Sequence, residues 1–306
     1  MKKDCINVLM AVNKNYLTQM KTLICSLGEN NDPNIDIYLI HNELSSHEIE
    51  ETAQLLKRTC NGYLHEIKIS EKFLEGAKVN EHFSIEMYYR IFATELLPKN
   101  IDRILWLDAD IVTIKSIVSL YHMDLRGYSI AACGHREKDK SKDSINRMAC
   151  ERLKLGKDTV YFNSGVLLMD LNKIRKSFNK SATLDLIYRM ETVLENPDQD
   201  ILNILYQNDV LLLDKNIYNY QVHYDWEFAN EKEKINERAI ILHYVGPAKP
   251  WKPTTYHFSY EYYWKYYLEH GSSKEYKKYK NSRFYYSIIN QVKMVLKSGY
   301  NRIFKK

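Results

Sequence analysis

Short apolar runs alternate with segments of helical periodicity along the first third of the chain. Buried strands are predicted where branched apolar residues cluster, at 6–12, 35–40, 63–69 and 103–107. Helices are predicted between them, at 17–27 with Gly28 as its end, from Ser45 or Ser46 through Leu56, and at 83–97 before Pro98. This alternation predicts parallel β-α-β units and therefore an α/β fold, whose ligands bind at the carboxyl ends of the strands.

The alternation weakens after residue 110. Further strands are predicted at 129–133, 162–170, 210–213 and 239–242, and a short helix at 201–206. The residues 163–165, Asn-Ser-Gly, are expected to form a turn at the start of the strand over 162–170. The polar, charged segment 138–157 is expected to be a mobile lid. We find no internal repeat and no low-complexity linker, so one domain followed by a tail is the simplest division.

The composition is that of a globular protein from a reducing compartment. The 306 residues carry a net charge of +5 and five cysteines without paired short spacing. These cysteines predict neither a disulfide framework nor a zinc site, and they favour the cytosol. The first apolar run is too short for a signal peptide, and no stretch approaches the ~20 apolar residues that span a bilayer. We therefore expect a protein that is neither secreted by this route nor integral to a membrane.

Two carboxylates follow the strand predicted at 103–107. Asp108 and Asp110 are spaced by two, which places both side chains on the same side of an extended segment. Hard divalent ions such as Mn²⁺ or Mg²⁺ prefer such oxygen ligands and often bridge them to substrate phosphates. An isolated Asp-x-Asp more simply begins a turn, so the prediction of a metal site depends on the features that accompany it.

A third metal ligand follows the strand predicted at 239–242. His243 offers an imidazole nitrogen, which suits Mn²⁺ beside two carboxylates. Gly246 permits close approach of the backbone to a ligand, and Lys249, between prolines, could meet a diphosphate as a fixed point charge. The alternative is an ordinary Gly-Pro turn with a solvated lysine. Because the chain has no glycine-rich phosphate loop, phosphates would be held by metal and side chains.

Four ordered motifs resemble glycosyltransferase family 8, and together the resemblance covers residues 6–251. The motifs are Leu107–Asp110, Phe162–Asp170, Asp198–Asn203 and His243–Trp251. The family includes bacterial lipopolysaccharide galactosyl- and glucosyltransferases and glycogenin. The resemblance implies the GT-A fold of nucleotide-diphospho-sugar transferases, an α/β fold with a Rossmann-like mixed sheet flanked by helices. It also implies a retaining transfer of a hexose, galactose or glucose, from a UDP-sugar.

The resemblance assigns roles to individual residues. Mn²⁺, or Mg²⁺, would be bound by Asp108, Asp110 and His243. Uracil and ribose would be held by Asn13 and Asn15, the first of which is often Asp in bacterial members. The donor sugar would lie near Arg90, and the diphosphate would contact Gly246 and Lys249. The transferred sugar would be surrounded by Asn163, Asp198 and Gln199.

One position departs from the family pattern. Galactosyltransferases of the family carry Asp after the strand that ends here at Cys133, whereas this chain has Gly134 and His135. That position usually touches sugar hydroxyls, so glucose is as defensible a donor sugar as galactose. The resemblance further implies a front-side displacement, in which the leaving phosphate helps to deprotonate the acceptor. Because an amide oxygen is a poor nucleophile, Gln199 is expected to stabilise the oxocarbenium ion or position the sugar, and Asp198 to bind a sugar hydroxyl.

The C-terminal region differs from the rest of the chain in charge. Residues 271–306 contain ten basic residues and one acidic residue, a net +9 that leaves −4 for residues 1–270. Apolar residues repeat at helical spacing from Phe284 to Leu296, after the aromatic segment 260–267. We expect a catalytic domain at 1–258 and a tail at 259–306 that binds an anionic membrane surface, on the inner face of the cell membrane. The alternative is a C-terminal helix docked on the domain.

The expected partners are a UDP-sugar donor and a glycan or glycolipid acceptor of a bacterial surface polysaccharide, lipopolysaccharide or glycoprotein. A nucleic-acid partner is not expected, because the carboxylate-rich edge repels phosphates without a metal. Two other classes stay open. A sugar-nucleotide pyrophosphorylase shares the broad architecture but should carry a glycine-rich phosphate loop, which residues 13–16 do not form. A non-catalytic carbohydrate-binding module, suggested by the 25 tyrosines, would need no metal triad.

Overall fold

Ten strands are present in the computed structural model, which describes residues 5–31, 34–70, 73, 85–136, 145–222, 231–252 and 256–281. They are β1 (Ile6–Ala11), β2 (Ile35–His41), β3 (Leu64–Lys68), β4 (Arg103–Leu107), β5 (Ile111–Thr113), β6 (Ile130–Gly134), β7 (Phe162–Asp170), β8 (Val210–Leu213), β9 (Tyr220–Gln221) and β10 (Ile241–His243). The eight strands predicted from the sequence are all confirmed, with ends that agree to within two residues.

The strands form one large and one small sheet. The large sheet has the order β3-β2-β1-β4-β7-β6-β8, and the small sheet has the order β5-β10-β9. Strands β3, β2, β1 and β4 are parallel, whereas β7 runs antiparallel to both β4 and β6. The predicted mixed α/β sheet is therefore confirmed. Because β4 is central, the residues that follow it lie at the middle of the carboxyl edge, where ligands bind in such folds.

Helices cover both faces of the large sheet. The α-helices are α1 (Leu17–Asn30), α2 (Ser46–Cys60), α3 (Ala93–Leu96), α4 (Val118–Tyr121), α5 (Ile145–Leu153), α6 (Leu171–Ser177), α7 (Lys180–Met190), α8 (Pro197–Tyr206), α9 (Lys215–Tyr218), α10 (Glu231–Arg238) and α11 (Tyr260–Tyr267). Segments of 3₁₀ helix span Lys14–Tyr16 and Ile85–Phe92. In none of the described ranges does a helix combine the length and the apolar character needed to cross a membrane.

Two helix predictions require correction. The first helix does not end at Gly28 but continues to Asn30. Gly28 lies where α1 contacts α2, and a Cβ there would be 2.5 Å from the carbonyl oxygen of Thr59, so this glycine serves helix packing rather than helix termination. The second, expected as an α-helix over 83–97, is a 3₁₀ helix followed by the short α3. Every residue from Tyr88 to Thr94 is buried, so packing on all sides determines this segment instead of one apolar stripe. Phe83 lies outside the described residues.

The central part of the chain also departs from two expectations. Asn163, Ser164 and Gly165 lie within β7, not in a turn before it: Asn163 pairs with Cys133 of β6, and the Gly165 carbonyl oxygen accepts from the Asp108 backbone N–H at 2.9 Å. The expected lid over 138–157 contains helix α5, which is fastened to the domain by an ion pair of 2.8 Å between Arg152 and Asp200. Residues 137–144 lie outside the described part of the chain.

Alternating residues of the central strands build a hydrophobic core on each face of the large sheet. On β1, for example, Val8 and Met10 belong to the cluster on one face, and Leu9 belongs to the cluster on the other. Such alternation of fully buried side chains is expected for strands covered on both sides. The two cores hold β4 rigidly from both faces, which fixes the position of the carboxylates that follow it.

Helix α11 packs against α1 and extends one of these cores. Five of its aromatic residues are buried: Tyr260, Tyr263, Trp264, Tyr266 and Tyr267. The Asn30 amide donates to the Tyr266 hydroxyl at 2.9 Å, and Thr22 Oγ1 lies 2.9 Å from Nε2 of His270. These aromatic faces are occupied by the domain, so they are not available to a membrane surface. The amphipathic repeat from Phe284 to Leu296 lies outside the described residues, and the division at residue 258 stays a prediction.

Candidate active site

Asp108, Asp110 and His243 converge at the carboxyl edge of β4. Asp108 directly follows β4 and Asp110 directly precedes β5, while His243 ends β10, which pairs with β5 so that His243 is opposite Ile111. The nearest ligand atoms of the three side chains all lie within 4.8 Å of one another. His243 Nε2 is 3.2 Å from Asp110 Oδ1 and 4.0 Å from Asp108 Oδ2. The structure therefore brings together the three residues predicted as metal ligands, with the spacing that a single divalent cation requires.

A chain of hydrogen bonds fixes which nitrogen of His243 faces the carboxylates. The backbone N–H of Gly165 donates to Asn163 Oδ1 at 3.0 Å, which identifies that atom as an acceptor. Asn219 Nδ2 donates to the same oxygen at 2.8 Å, so Asn219 Oδ1 is left to accept from His243 Nδ1 at 3.0 Å. The imidazole proton is thereby held on Nδ1, and the lone pair of Nε2 points towards the carboxylates, as metal coordination requires.

Gly165 of β7 lies directly behind this triad. A Cβ at this position would be 2.3 Å from His243 Cε1 and 2.9 Å from Asp108 Oδ2. Glycine is therefore required because the strand backbone must approach both metal-ligand side chains closely. Neither Gly165 nor Asn219 was predicted from the sequence as a functional residue. The Asn-Ser-Gly motif contains a signal for the first, and no motif marks the second.

Arg90 links the predicted metal site to the predicted sugar site. Its Nη2 lies 2.9 Å from Asp108 Oδ1 and its Nε lies 3.0 Å from Asp198 Oδ2. Its Nη1 donates to the carbonyl oxygen of Ser164 at 2.8 Å, and the guanidinium lies 4.5 Å from the centre of the Trp106 ring. Arg90 is 9% exposed, so both ion pairs are formed in a poorly solvated site, where one guanidinium compensates two carboxylates.

The carboxylates of the site differ in their electrostatics. Burial opposes ionisation of Asp110, but the ammonium group of Lys249 outweighs it and holds the pKa of Asp110 well below its usual range. Lys249 Nζ is 2.5 Å from Asp110 Oδ2 and also donates to the Tyr244 carbonyl oxygen at 2.6 Å. Burial raises the pKa of Asp198; Arg90 opposes this change, and the neighbouring Asp108 adds to it. Asp110 is thus fixed as an anion, whereas Asp198 depends on Arg90 to stay charged.

Gln199 is held in one orientation by its neighbours. Its Oε1 accepts from Asn163 Nδ2 at 3.1 Å and from the Ser164 backbone N–H at 3.0 Å. Its Nε2 must therefore be the atom that faces His135 Nε2, 2.8 Å away, and donates to it. The His135 ring stacks on Tyr161, with centroids 5.3 Å apart. His135, which departs from the family pattern, is thus a direct partner of the residue proposed to act at the sugar.

The first turn of α8 carries Asp198 and Gln199 and is anchored through Asp200. Asp200 is fully buried, and its Oδ1 accepts from the Tyr161 hydroxyl at 2.5 Å. Its Oδ2 accepts from Arg152 Nη1 at 2.8 Å and from the Glu195 backbone N–H at 2.8 Å. These bonds fix the helix N-terminus from which the two neighbouring side chains reach the site, so the role of Asp200 is structural.

Two adjoining cavities enclose these residues. The larger, of about 680 Å³, is lined by nine of the eleven predicted site residues: Arg90, Asp108, Asp110, Asn163, Asp198, Gln199, His243, Gly246 and Lys249. The smaller, of about 290 Å³, is lined by Asn13 and Tyr16 and shares Asp108 and Asp110 with the larger. Asn15 does not line either cavity; it is exposed, and its backbone N–H donates to Asn13 Oδ1 at 3.1 Å.

The amino-acid sequence is similar to those of known glycosyltransferases. The family model described as glycosyl transferase family 8 matches residues 7–255. A lipopolysaccharide 1,2-glucosyltransferase of Escherichia coli strain K12 is 31% identical over 265 residues, which are 85% of this chain and 77% of the relative. The glycosyltransferase GlyF of Streptococcus pneumoniae serotype 4 is 32% identical over 251 residues, which are 80% of this chain and 57% of the relative.

Solved structures share the fold. The galactosyltransferase LgtC, in complex with donor and acceptor sugar analogs, superposes with a TM-score of 0.73 at 22% identity and covers 90% of this chain and all of its own. The glycosyltransferase GlyE of Streptococcus pneumoniae TIGR4 superposes with a TM-score of 0.64 at 23% identity, over 86% of this chain and 60% of its own. At such identities the likeness shows the fold, and the predicted GT-A architecture is confirmed.

Proposed function

The chain belongs to glycosyltransferase family 8, and from that premise we propose that it transfers a hexose from a UDP-sugar to a glycan acceptor, with retention at the anomeric carbon and dependence on a divalent metal. The observation that carries this proposal is the convergence of Asp108, Asp110 and His243 at the boundary of two cavities. The smaller cavity suits a nucleoside and the larger suits a sugar. A diphosphate that joins the two must cross the carboxylates, which requires a cation between them.

The residues present fit a divalent cation of the Mn²⁺ or Mg²⁺ type. Two carboxylates and one imidazole supply hard oxygen and intermediate nitrogen ligands, and the Asn219 side chain presets the Nε2 lone pair of His243. When bound, the ion would neutralise charge on the diphosphate of the donor. Among the described residues, these three side chains would hold the cation.

Lys249 and Gly246 are the chain's own contribution to stabilising the leaving group. Lys249 Nζ already lies 2.5 Å from a carboxylate oxygen of Asp110, so its ammonium is at the point where a phosphate would meet the metal site. Gly246 lines the same cavity with a φ of +74°, a conformation that brings the backbone close to a ligand without a side chain. A fixed positive charge in this position stabilises the negative charge that develops on UDP as it departs.

The transfer step is a substitution at the anomeric carbon. The bond from that carbon to the phosphate oxygen breaks, its electron pair leaves with UDP, and the acceptor oxygen bonds to the same face. The acceptor proton passes to the departing phosphate. Asp198 is paired with Arg90, which suits a carboxylate that binds a sugar hydroxyl, and the Gln199 amide, held by Asn163 and His135, suits a group that positions the oxocarbenium-like sugar.

We propose glucose as the first donor sugar to test, with galactose as the second. The relative from Escherichia coli is named for transfer of glucose. His135 stands where galactosyltransferases of the family carry Asp, and its ring contacts Gln199 inside the sugar cavity. An imidazole there presents a hydrogen-bonding pattern that differs from that of a carboxylate. The sugar hydroxyl whose configuration distinguishes glucose from galactose would therefore be recognised differently.

For the acceptor we propose a bacterial surface glycan such as lipopolysaccharide, a surface polysaccharide or a glycoprotein. Support comes from the relative from Escherichia coli, which is named as a lipopolysaccharide 1,2-glucosyltransferase. We also infer a cytoplasmic location at the inner face of the cell membrane, supported by the ten basic residues of segment 271–306. Attachment would then depend on that charge, since the aromatic residues of α11 are buried.

The test is UDP release from a panel of UDP-sugars, with and without Mn²⁺, by the wild type and by Asp110→Ala. Slow hydrolysis of the donor reports its identity without the acceptor. Metal-dependent release from one UDP-sugar that disappears in the variant supports the proposal and names the donor. The absence of UDP release from every donor, together with no metal-dependent binding of UDP by calorimetry, would overturn the proposed function in favour of a non-catalytic sugar-binding protein.

A further inference from the structure

The smaller cavity of the candidate active site is lined by an asparagine amide whose orientation is fixed. Asn13 caps the 3₁₀ segment Lys14–Tyr16, because the backbone N–H of Asn15 donates to Asn13 Oδ1 at 3.1 Å. Only the amide oxygen can accept this hydrogen bond, so the other branch of the amide is the Nδ2 group. Asn13 Nδ2 forms no hydrogen bond with any residue that the structure describes. Its two hydrogens are therefore available to a ligand in this cavity.

The other polar side chains that line this cavity do not distinguish one base from another. Its three charged residues form ion pairs, of which the pair of Arg90 with Asp108 at 2.9 Å is one. Trp106 Nε1 donates to the same carboxylate at 2.9 Å. Tyr16 offers a ring on which any base can stack and a hydroxyl that both donates and accepts. Among these side chains, the Asn13 amide is therefore the group whose hydrogen-bonding pattern could select a base.

Uracil and cytosine differ in the hydrogen-bonding groups along one edge of the ring. Uracil has an N–H donor at N3 and a carbonyl oxygen at C4, whereas cytosine has a lone pair at N3 and an amino group at C4. A free NH₂ group needs only an acceptor, which uracil supplies at O4 and cytosine supplies at N3. The second lone pair of Asn13 Oδ1 can accept from the N3–H of uracil or from the amino group of cytosine. An amide at this position can therefore pair with either base.

We propose that this chain binds cytidine diphosphate sugars as well as uridine diphosphate sugars, and that Asn13 sets this tolerance. The inference rests on the proposed function, since it concerns the base of the same donor. A carboxylate at position 13 would have acceptors only, so it would bond to the N3–H of uracil but face the lone pair at N3 of cytosine. The volume of about 290 Å³ is at the lower limit for a small-molecule site, which favours a pyrimidine over a purine.

Asn13→Asp is the decisive variant because it changes the hydrogen-bonding groups and keeps the shape of the side chain. A carboxylate oxygen can accept from the Asn15 N–H as the amide oxygen does, and aspartate is as good a helix N-cap as asparagine. We therefore expect the variant to fold as the wild type does. The added negative charge disfavours every nucleoside diphosphate alike, so its effect cancels in the ratio of two Kd values.

The experiment measures the Kd of UDP, CDP and ADP by calorimetry, with the full chain in the presence of Mn²⁺. For the wild type we expect the Kd of CDP to be less than about 10-fold above that of UDP, and ADP to bind more weakly than either. In Asn13→Asp we expect the ratio of the CDP to the UDP Kd to increase by at least about 10-fold. Asn100→Asp, at an exposed residue before the amino end of β4, is the matched control and should leave the ratio unchanged.

Asn13→Ser tests the same amide by shortening it. Serine keeps an oxygen for the Asn15 N–H but reaches less far into the cavity. We expect UDP and CDP both to bind about 3- to 10-fold more weakly, with a ratio close to that of the wild type. Unchanged binding of both nucleotides by this variant would overturn the inference, because the amide would then not contact the base.

Three other results would also overturn the inference. They are a wild-type preference for UDP over CDP of about 10-fold or more, an unchanged ratio in Asn13→Asp, and binding of ADP as tight as that of UDP. The last would mean that the diphosphate and the metal supply all of the affinity. UDP still binds in each of these cases, so the proposed function would stand. The absence of metal-dependent binding of all three nucleotides would instead overturn the proposed function and this inference together.

Discussion

Gly165 and His243 are in such close contact that no side chain can lie between them, since a Cβ on Gly165 would be 2.3 Å from the imidazole. The backbone of β7 therefore packs directly against the ring of the predicted metal-ligand histidine and limits its position. The same glycine donates its N–H to Asn163 Oδ1. This is the first in the series of hydrogen bonds that sets the His243 tautomer. Gly165 thus influences both the position of the His243 ring and the ring nitrogen that faces the carboxylates.

Gly165→Ala is expected to weaken metal binding strongly. The added methyl group displaces His243 or Asp108, which separates ligand atoms that now lie within 4.8 Å of one another. We expect at least a 10-fold loss of Mn²⁺ affinity by calorimetry, the range seen when metal-ligand support is removed. Gly127→Ala is the control, because Gly127 has a φ of +81° and an open environment, so its substitution strains the backbone without touching the site. Equal Mn²⁺ affinity in the two variants would contradict the prediction.

Asn219 is expected to control metal affinity through the His243 tautomer. Asn219→Leu removes the oxygen that accepts from His243 Nδ1, so the imidazole proton is free to occupy Nε2 and block coordination. We expect Mn²⁺ affinity to fall by about 10- to 100-fold. Asn219→Asp keeps the acceptor and should restore most of the affinity. If the Leu and Asp variants bind Mn²⁺ equally, the tautomer is not set by this side chain.

His135 is expected to act on turnover through Gln199. His135→Phe keeps a ring that can stack on Tyr161 but removes the acceptor for Gln199 Nε2, so the amide is no longer held in one orientation. We expect kcat to fall by about 10- to 100-fold with little change in KM for the donor, because the loss concerns positioning at the reacting carbon. Gln199→Ala should lose at least as much. His122→Phe, at an exposed histidine, should retain wild-type kinetics. A Gln199→Ala enzyme that keeps most of its kcat would rule out the role of this amide.

The sequence predicted the fold and the metal triad because both depend on short-range patterns. Asp108 and Asp110 are spaced by two after a buried strand, and His243 ends another, so their chemistry can be read locally. Asn219 precedes His243 by 24 residues and carries no motif. Its position follows from the pairing of β9 with β10, which only the folded chain defines. Gly28 and Gly165 were assigned to a helix end and a turn because a glycine required for close packing has the same sequence signature as one required for a turn.

His270 is expected to make the folded protein less stable in acid. Burial, together with Lys21 and Arg58, lowers the pKa of His270 from 6.5 to about 4. His270 is therefore protonated below about pH 6.5 in the unfolded chain but only below about pH 4 in the folded protein. The free energy of unfolding falls as the pH is lowered through this interval. Since the ring is partly exposed, we expect a loss on the order of 2 kcal/mol. His270→Gln keeps a donor for Thr22 and should reduce the decline, measured by urea unfolding at pH 7 and pH 4.5. An identical decline in both proteins would assign the acid sensitivity to other groups.

Arg90 is expected to be the largest single electrostatic contributor to stability in the site. Arg90→Met keeps the length of the side chain but leaves Asp108 and Asp198 without their shared cation in a poorly solvated environment. Breaking a buried pair in this way costs about 3–5 kcal/mol, which urea unfolding at pH 7 measures directly. The exposed pair of Arg189 with Asp185 on α7 provides the control, and Arg189→Met should cost at most about 1 kcal/mol.

The pH dependence of the Arg90→Met defect separates lost charge from lost packing. Burial already raises the pKa of Asp198 and Arg90 opposes that shift, so without the guanidinium the pKa of Asp198 rises further. In the folded variant Asp198 is then protonated at a higher pH than in the wild type. The difference in unfolding free energy between variant and wild type should therefore shrink as pH falls from 7 towards 5. Added Mn²⁺ should also recover more stability in the variant than in the wild type, because the cation compensates Asp108. A deficit that is constant with pH and metal would mean that Arg90 acts through its packing on Trp106 alone.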